Sequence, residues 1–209
     1  MLRVADLRAG YGSTPVLAGV NLEVGEGEVV AVLGRNGMGK TTLLRTLMGL
    51  LPARGGSIRW KDGQEITKVP THPRARLGLG YVPQGRDIFP GLTVHENLRL
   101  GEIAIGRNGG SRLQDVLKLF PMLSEKLTAR GASLTGGQQQ LLALARALVA
   151  APKILLLDEP SEGSQPSILE QIVERIRTIN RQEGIAILLV EQNLQFAAAL
   201  AERAYIMNK

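Results

Sequence analysis

The chain has 209 residues, 44% apolar and 21% charged, which allows one large domain or two small ones with a buried core and excludes wholesale disorder. Lys and Arg exceed Asp and Glu by 25 − 19 = 6, a balance that suits phosphate, nucleic acid or a membrane surface without choosing among them. Seven aromatics (three Phe, three Tyr, one Trp) argue against a single-strand nucleic-acid binder, and zero Cys excludes disulfides and thiolate metal sites.

The start, Met1 to Asp6, does not read as a signal peptide, and no apolar run approaches the roughly 20 residues of a membrane span. The expectation is a soluble chain of a reducing, cytoplasmic compartment. Glycine pairs and triplets at 34/37/39, 55/56, 78/80, 109/110 and 136/137 punctuate periodic segments and form no low-complexity linker.

In chain order, Leu2–Leu7 and Val16–Val24 alternate like half-buried strands around the turn-forming Gly10-Tyr11-Gly12-Ser13. Glu28–Leu33 is a β-branched apolar run too short for a helix, and Thr41–Leu50 reads as the helix after it. Ile58-Arg59-Trp60 before Lys61-Asp62-Gly63 predicts a hairpin end. His72, ahead of Pro73, falls in a basic surface stretch, and Trp60 reads as packing. Residues 93–150 turn helical: Thr93-Val94-His95-Glu96 is a capping box, and Leu141, Leu142, Ala145 and Leu148 share a face. Ile154–Leu157 and Ile185–Val190 read as buried strands flanking a helix over 167–182, with Ile168, Ile172, Ile176 and Ile179 in phase. Continuous apolar strands separated by helices imply an α/β fold whose parallel sheet is covered on both faces.

Gly34-Arg35-Asn36-Gly37-Met38-Gly39-Lys40-Thr41 matches G-x-x-x-x-G-K-[ST] between a predicted strand and helix, the context that the motif requires. Its glycines let successive N–H groups cradle phosphate oxygens at a helix N-terminus. Lys40 would reach the β- and γ-phosphates, and the Thr41 hydroxyl would ligate Mg²⁺. Asp158-Glu159 closes a later strand, where a carboxylate pair lies beside such a loop. Asp158 can hold Mg²⁺ through water, and Glu159 can act as general base on the attacking water.

Leu134-Thr135-Gly136-Gly137-Gln138 follows these motifs in order, and the whole resembles the nucleotide-binding subunit of an ATP-binding cassette (ABC) transporter. The resemblance covers nearly the whole chain. It implies a P-loop ATPase with a mainly parallel core, N-terminal antiparallel strands and an inserted helical block: one domain, core 1–84 and 151–209, helices over about 85–150. The usual signature is Leu-Ser-Gly-Gly-Gln, so Thr135 departs from it while keeping a hydroxyl. The resemblance makes Tyr11 the aromatic on adenine, residues 34–42 (Thr42 included) and Gln84 nucleotide contacts, and Gln84 a further Mg²⁺ ligand. It makes Thr135, Gly136, Gly137 and Gln138 the contact to a facing subunit's ATP.

Family members usually carry a switch His in a sequence such as Val-Thr-His-Asp; here Val190-Glu191-Gln192-Asn193 puts Gln192 there, as the third presumed catalytic group beside Glu159 and Lys40. That variant resembles the second ATPase subunit of importers for branched-chain amino acids and for urea or short amides. Residues 81–89 and 162–168 look closer to the urea type, although Ser164 and Gln165 depart from the family's loop. The resemblance therefore implies Mg-ATP, membrane permease partners, a second and different ATPase subunit, an external solute-binding protein, no nucleic acid, and a place on the cytoplasmic face of the membrane. A soluble cassette protein of translation or DNA repair is the rival class; neither a tandem cassette with charged linker nor a long coiled-coil insertion is present. Gln192, uncharged, predicts the slower of two sites. Arg203–Met207 reads as a strand, and Asn208-Lys209 stands where the family turns into a pairing strand, so a shortened C-terminus is expected.

Overall fold

A computed structural model describes residues 1–104, 106 and 110–208. Gly109 and Lys209, named above as punctuation and chain end, lie outside the described residues.

Leu2–Tyr11 (β1) and Thr14–Val24 (β2) pair antiparallel with Tyr11 opposite Thr14, so the turn is the two residues Gly12-Ser13 and Tyr11 ends a strand. Gly55–Trp60 (β4) pairs with β1, and the expected hairpin follows: a short turn at Lys61–Gly63 and Gln64–Glu65 (β5), giving the antiparallel order β2-β1-β4-β5.

The second sheet is parallel. Val29–Leu33 (β3), Leu79–Val82 (β6), Ile154–Asp158 (β7), Ala186–Glu191 (β8) and Arg203–Ile206 (β9) assemble in the order β6-β7-β8-β3-β9. Side chains alternate across a strand, so a strand buried on both faces serves two cores. Val30, Val32, Ile154, Leu156, Leu188 and Val190 join Lys40–Met48 (α1) and the inner face of the antiparallel sheet. Val29, Ala31, Leu155, Leu157, Ile187 and Leu189 face the opposite cluster.

That second cluster is helical. Between β6 and β7 come Val94–Ala104 (α3), Gly110–Leu119 (α4), Pro121–Ser124 (α5) and Gly136–Val149 (α6). Pro166–Glu183 (α7) and Leu194–Leu200 (α8) complete it. The box at Thr93 forms as expected: Glu96 N–H donates to Thr93 Oγ1 at 3.1 Å and Thr93 N–H to Glu96 Oε2 at 2.8 Å. Ile172, Ile176 and Ile179 are buried and Ile168 partly so. Trp60 is buried, and His72 and His95 are exposed.

Two expectations need correction. The basic stretch around His72 is a helix, Thr71–Leu77 (α2); His72 and Pro73 are at the surface as expected, but Arg74 beside them is buried. Its guanidinium donates to the carbonyls of Thr46 (2.8 Å) and Leu47 (2.6 Å) at the end of α1 and of Thr67 (2.8 Å) and Val69 (2.7 Å) in the segment before α2. The apolar period after the signature predicts a helix over Gln139–Ala150; the helix instead starts at Gly136. Gly136, Gly137 and Gln138 form the first turn of α6, and Thr135 is its N-cap.

Candidate active site

The segment 34–39 leaves β3 and enters α1, so its N–H groups gather at a helix N-terminus. Gly34 N–H donates to Glu191 O at 3.2 Å, and Met38 N–H to Arg35 O at 3.3 Å. Gly39 has φ 96°, a conformation that favours glycine, and a Cβ there would lie 3.0 Å from Val16 Cγ1, so a side chain would be both strained and crowded. Arg35, Asn36 and Gly37 are exposed, and Thr42 is buried in the first turn of α1.

Lys40 folds back beneath this loop. Its ammonium donates to Gly34 O at 2.7 Å and Arg35 O at 3.2 Å and stands 2.9 Å from Glu159 Oε1, with both side chains buried. Beside it, the Thr41 hydroxyl donates to Asp158 Oδ1 at 3.0 Å and the Tyr81 hydroxyl to Asp158 Oδ2 at 3.1 Å. Burial raises the Asp158 pKa above the ordinary aspartate value; these two hydrogen bonds pull it down and the Glu159 charge pushes it up. Burial, and then the Asp158 charge, push the Tyr81 phenol well above its usual range, so it stays a donor. Glu159 adopts φ 46°, unusual for a residue with a side chain, and its Oε2 is buried without a hydrogen-bond partner.

The other predicted residues lie around this centre. Gln192 is exposed and lines an open hollow with Gly34, Arg35, Asn36 and Met38. Gln84 donates to Glu162 Oε2 at 2.8 Å. Tyr11, at the end of β1, is 45% exposed. The signature is held elsewhere. Thr135 Oγ1 accepts from Gln138 N–H at 3.4 Å while Gln138 Oε1 accepts from Thr135 N–H at 3.1 Å. A Cβ on Gly137 would meet the Ile168 side chain at 2.6 Å, so this glycine lets α6 and α7 touch. Among the described residues, no ion pair or hydrogen bond ties Thr135–Gln138 to the phosphate loop.

Tyr81 and Arg74 were missed as working residues. For Tyr81 a signal existed: two residues after Leu79 on a strand, it shares that residue's face and joins the α1-side cluster. Chemically, the centre offers main-chain donors and one cation for a polyphosphate, hard oxygens for a divalent ion, and a carboxylate able to take a proton.

The ABC transporter family model matches residues 17–162, and the chain belongs to that family. It is an α/β P-loop ATPase of the ABC type, an ATP-binding, ATP-hydrolysing subunit of a transporter. It is 43% identical over 208 residues to the high-affinity branched-chain amino acid transport ATP-binding protein BraG of Pseudomonas aeruginosa, covering 99% of this chain and 88% of that protein. Identity to the probable branched-chain amino acid transport ATP-binding protein LivF of Archaeoglobus fulgidus is 37% over 208 residues, with the same coverage. The dimeric post-hydrolysis structure of the ATP-binding cassette MJ0796 bound to ADP and Pi superposes with a TM-score of 0.87 at 26% identity, over 100% of this chain and 94% of that one. Among the described residues, no helix is long and apolar enough to cross a membrane.

Proposed function

We propose that the chain is the ATPase subunit of an importer for branched-chain amino acids, working at the cytoplasmic face of the membrane against its permeases. Identity to BraG along almost the whole length carries the choice of solute. The urea or short-amide reading rests on the motif likeness of residues 81–89 and 162–168 and draws no support from these relatives. Uptake into proteoliposomes holding the complex purified through this chain tests the choice. ATP-driven leucine uptake without urea uptake supports it, and the reverse contradicts it.

The whole of 1–209 is read as one ATP-binding unit, with core 1–84 and 151–209 and a helical block over about 85–150. Gly34 to Gly39 hold the phosphates, Lys40 compensates their charge, and Tyr11 stacks on adenine. The hydroxyl and carboxylate oxygens of Thr41 and Asp158, already converging at 3.0 Å, fit Mg²⁺, with Gln84 as a further oxygen donor. An ion held there would supply positive charge against the β- and γ-phosphates. Glu159 accepts the proton of the attacking water; its free, buried Oε2 is the observation that carries this role. Gln192 contacts the γ-phosphate as a neutral donor. Thr135 to Gln138, bonded among themselves at a helix N-terminus, serve the nucleotide of a facing subunit.

The facing subunit is a different ATPase, and a solute-binding protein feeds the permeases. Gln192 lacks the charge a histidine can carry, so the site built on Lys40 and Glu159 of this chain is the slower one. Mutating each subunit's base in turn measures the asymmetry; equal losses contradict it.

A further inference from the structure

Glu191 ends β8 and has no exposed surface. A carboxylate taken out of water must find its hydration replaced by hydrogen bonds, and here the main chain supplies all of them. Oε1 accepts from Ser161 N–H at 2.9 Å; Oε2 accepts from Gln192 N–H at 3.1 Å and Asn193 N–H at 3.2 Å. The carbonyl of the same residue accepts from Gly34 N–H at 3.2 Å. One residue therefore bonds to the first glycine of the phosphate loop, to the turn after Glu159, and to the turn that carries Gln192. The strands supporting those turns are adjacent, with Asp158 opposite Val190 and Glu159 N–H donating to Val190 O at 3.0 Å.

We propose that Glu191 is a positioning residue for hydrolysis: its carboxylate clamps the turn bearing Glu159 to the turn bearing Gln192, so that both keep one fixed place beside the phosphate loop. The clamp needs an acceptor at both ends. A carboxylate has only acceptors, whereas an amide would turn an NH₂ towards one of the two turns and leave its N–H facing a donor. Reach matters as well, because Ser161 and Glu191 are thirty residues apart and, among the described residues, no other side chain bonds both turns. This proposal rests on the roles assigned above to Glu159 and Gln192.

The test is Glu191→Gln, which keeps size and shape, measured in the transporter complex purified through a tag on this chain. The expected result is a kcat lower by about tenfold or more with KM for ATP within about twofold, because the loop and Tyr11 that bind the nucleotide are untouched. Amide hydrogen exchange on the chain should show Ser161 protected in the native protein and faster in Glu191→Gln, with Ile187 to Leu189 unchanged. A native Ser161 amide that exchanges like an exposed loop overturns the proposal whatever the variant does. So does an unchanged kcat, or a loss of rate that only follows the fraction of protein folded. The underlying reading fails separately, through full turnover in Glu159→Gln, and the exchange data stand apart from that outcome.

Discussion

The Lys40 ammonium and the Glu159 carboxylate are each other's counter-ion, 2.9 Å apart and both withdrawn from solvent. A triphosphate cradled by Gly34 to Gly39 offers Lys40 a more highly charged partner, and the exchange would free the Glu159 carboxylate from the lysine for the water beside the γ-phosphate. Breaking a buried pair from one side leaves a charge without compensation. Lys40→Met should therefore destabilise the chain alone by about 3 kcal/mol, besides abolishing ATP binding, and Glu159→Gln added to it should recover most of the stability. Chemical denaturation of the single and double variants checks this; additive losses would show that the pair is not coupled.

Tyr81 donates to Asp158, and removing the hydroxyl removes a bond that favours the ionised carboxylate. Tyr81→Phe should weaken the apparent Mg²⁺ affinity in ATP turnover by roughly tenfold, from a charged hydrogen bond of about 1.5–3 kcal/mol partly replaced by water. ATP binding without the metal should hardly change.

Asp158 also sets a pH dependence whose sign follows from its raised pKa. Being raised in the folded state, it contributes stability below its unfolded pKa and loses that contribution as pH rises through the folded value. Asp158→Asn should therefore melt no lower than the parent near neutral pH, and the difference should vanish in acid where the parent carboxyl is protonated. Thermal melts of both proteins across pH measure it. Metal-dependent turnover should be lost in the variant at every pH.

How much of this was legible in the sequence depends on how far apart the causes lie. The phosphate loop, the strands and the long helix α7 carry their signals locally, in glycine spacing, two-sided apolar runs and period. Arg74 does not. Its acceptors belong to Thr46, Leu47, Thr67 and Val69, so nothing beside it marks it as buried, and charge next to His72 and Pro73 imitates a surface. Glu191 was passed over in the same way, since its partner Ser161 lies thirty residues off. The early start of α6 was readable: Thr135 and Gln138 stand in the same spacing as Thr93 and Glu96, but the glycines between them, poor helix formers, hid it.

The buried guanidinium gives a stability prediction. Arg74→Met should cost about 3 kcal/mol or more, because four main-chain carbonyls each lose a charged donor and, among the described residues, only Thr46 O keeps another, Gly49 N–H. Arg74→Lys should recover only part, an ammonium being unable to fan out to all four. Urea denaturation checks both.

Gly137 and Ile168 should behave as a coupled pair. Gly137→Ala drives a methyl to 2.6 Å from Ile168 and should lower stability by about 1–3 kcal/mol, as overpacking does. Adding Ile168→Ala should relieve the clash, giving a favourable coupling in a double-mutant cycle.

Glu159 is the group proposed to take the proton from water. ATP turnover of the complex containing Glu159→Gln, with nucleotide binding measured on the same preparation, tests it most directly. The prediction is retained ATP binding with turnover at this site reduced at least about a hundredfold, since an amide cannot accept the proton. Turnover at this site equal to that of the unaltered chain would contradict it.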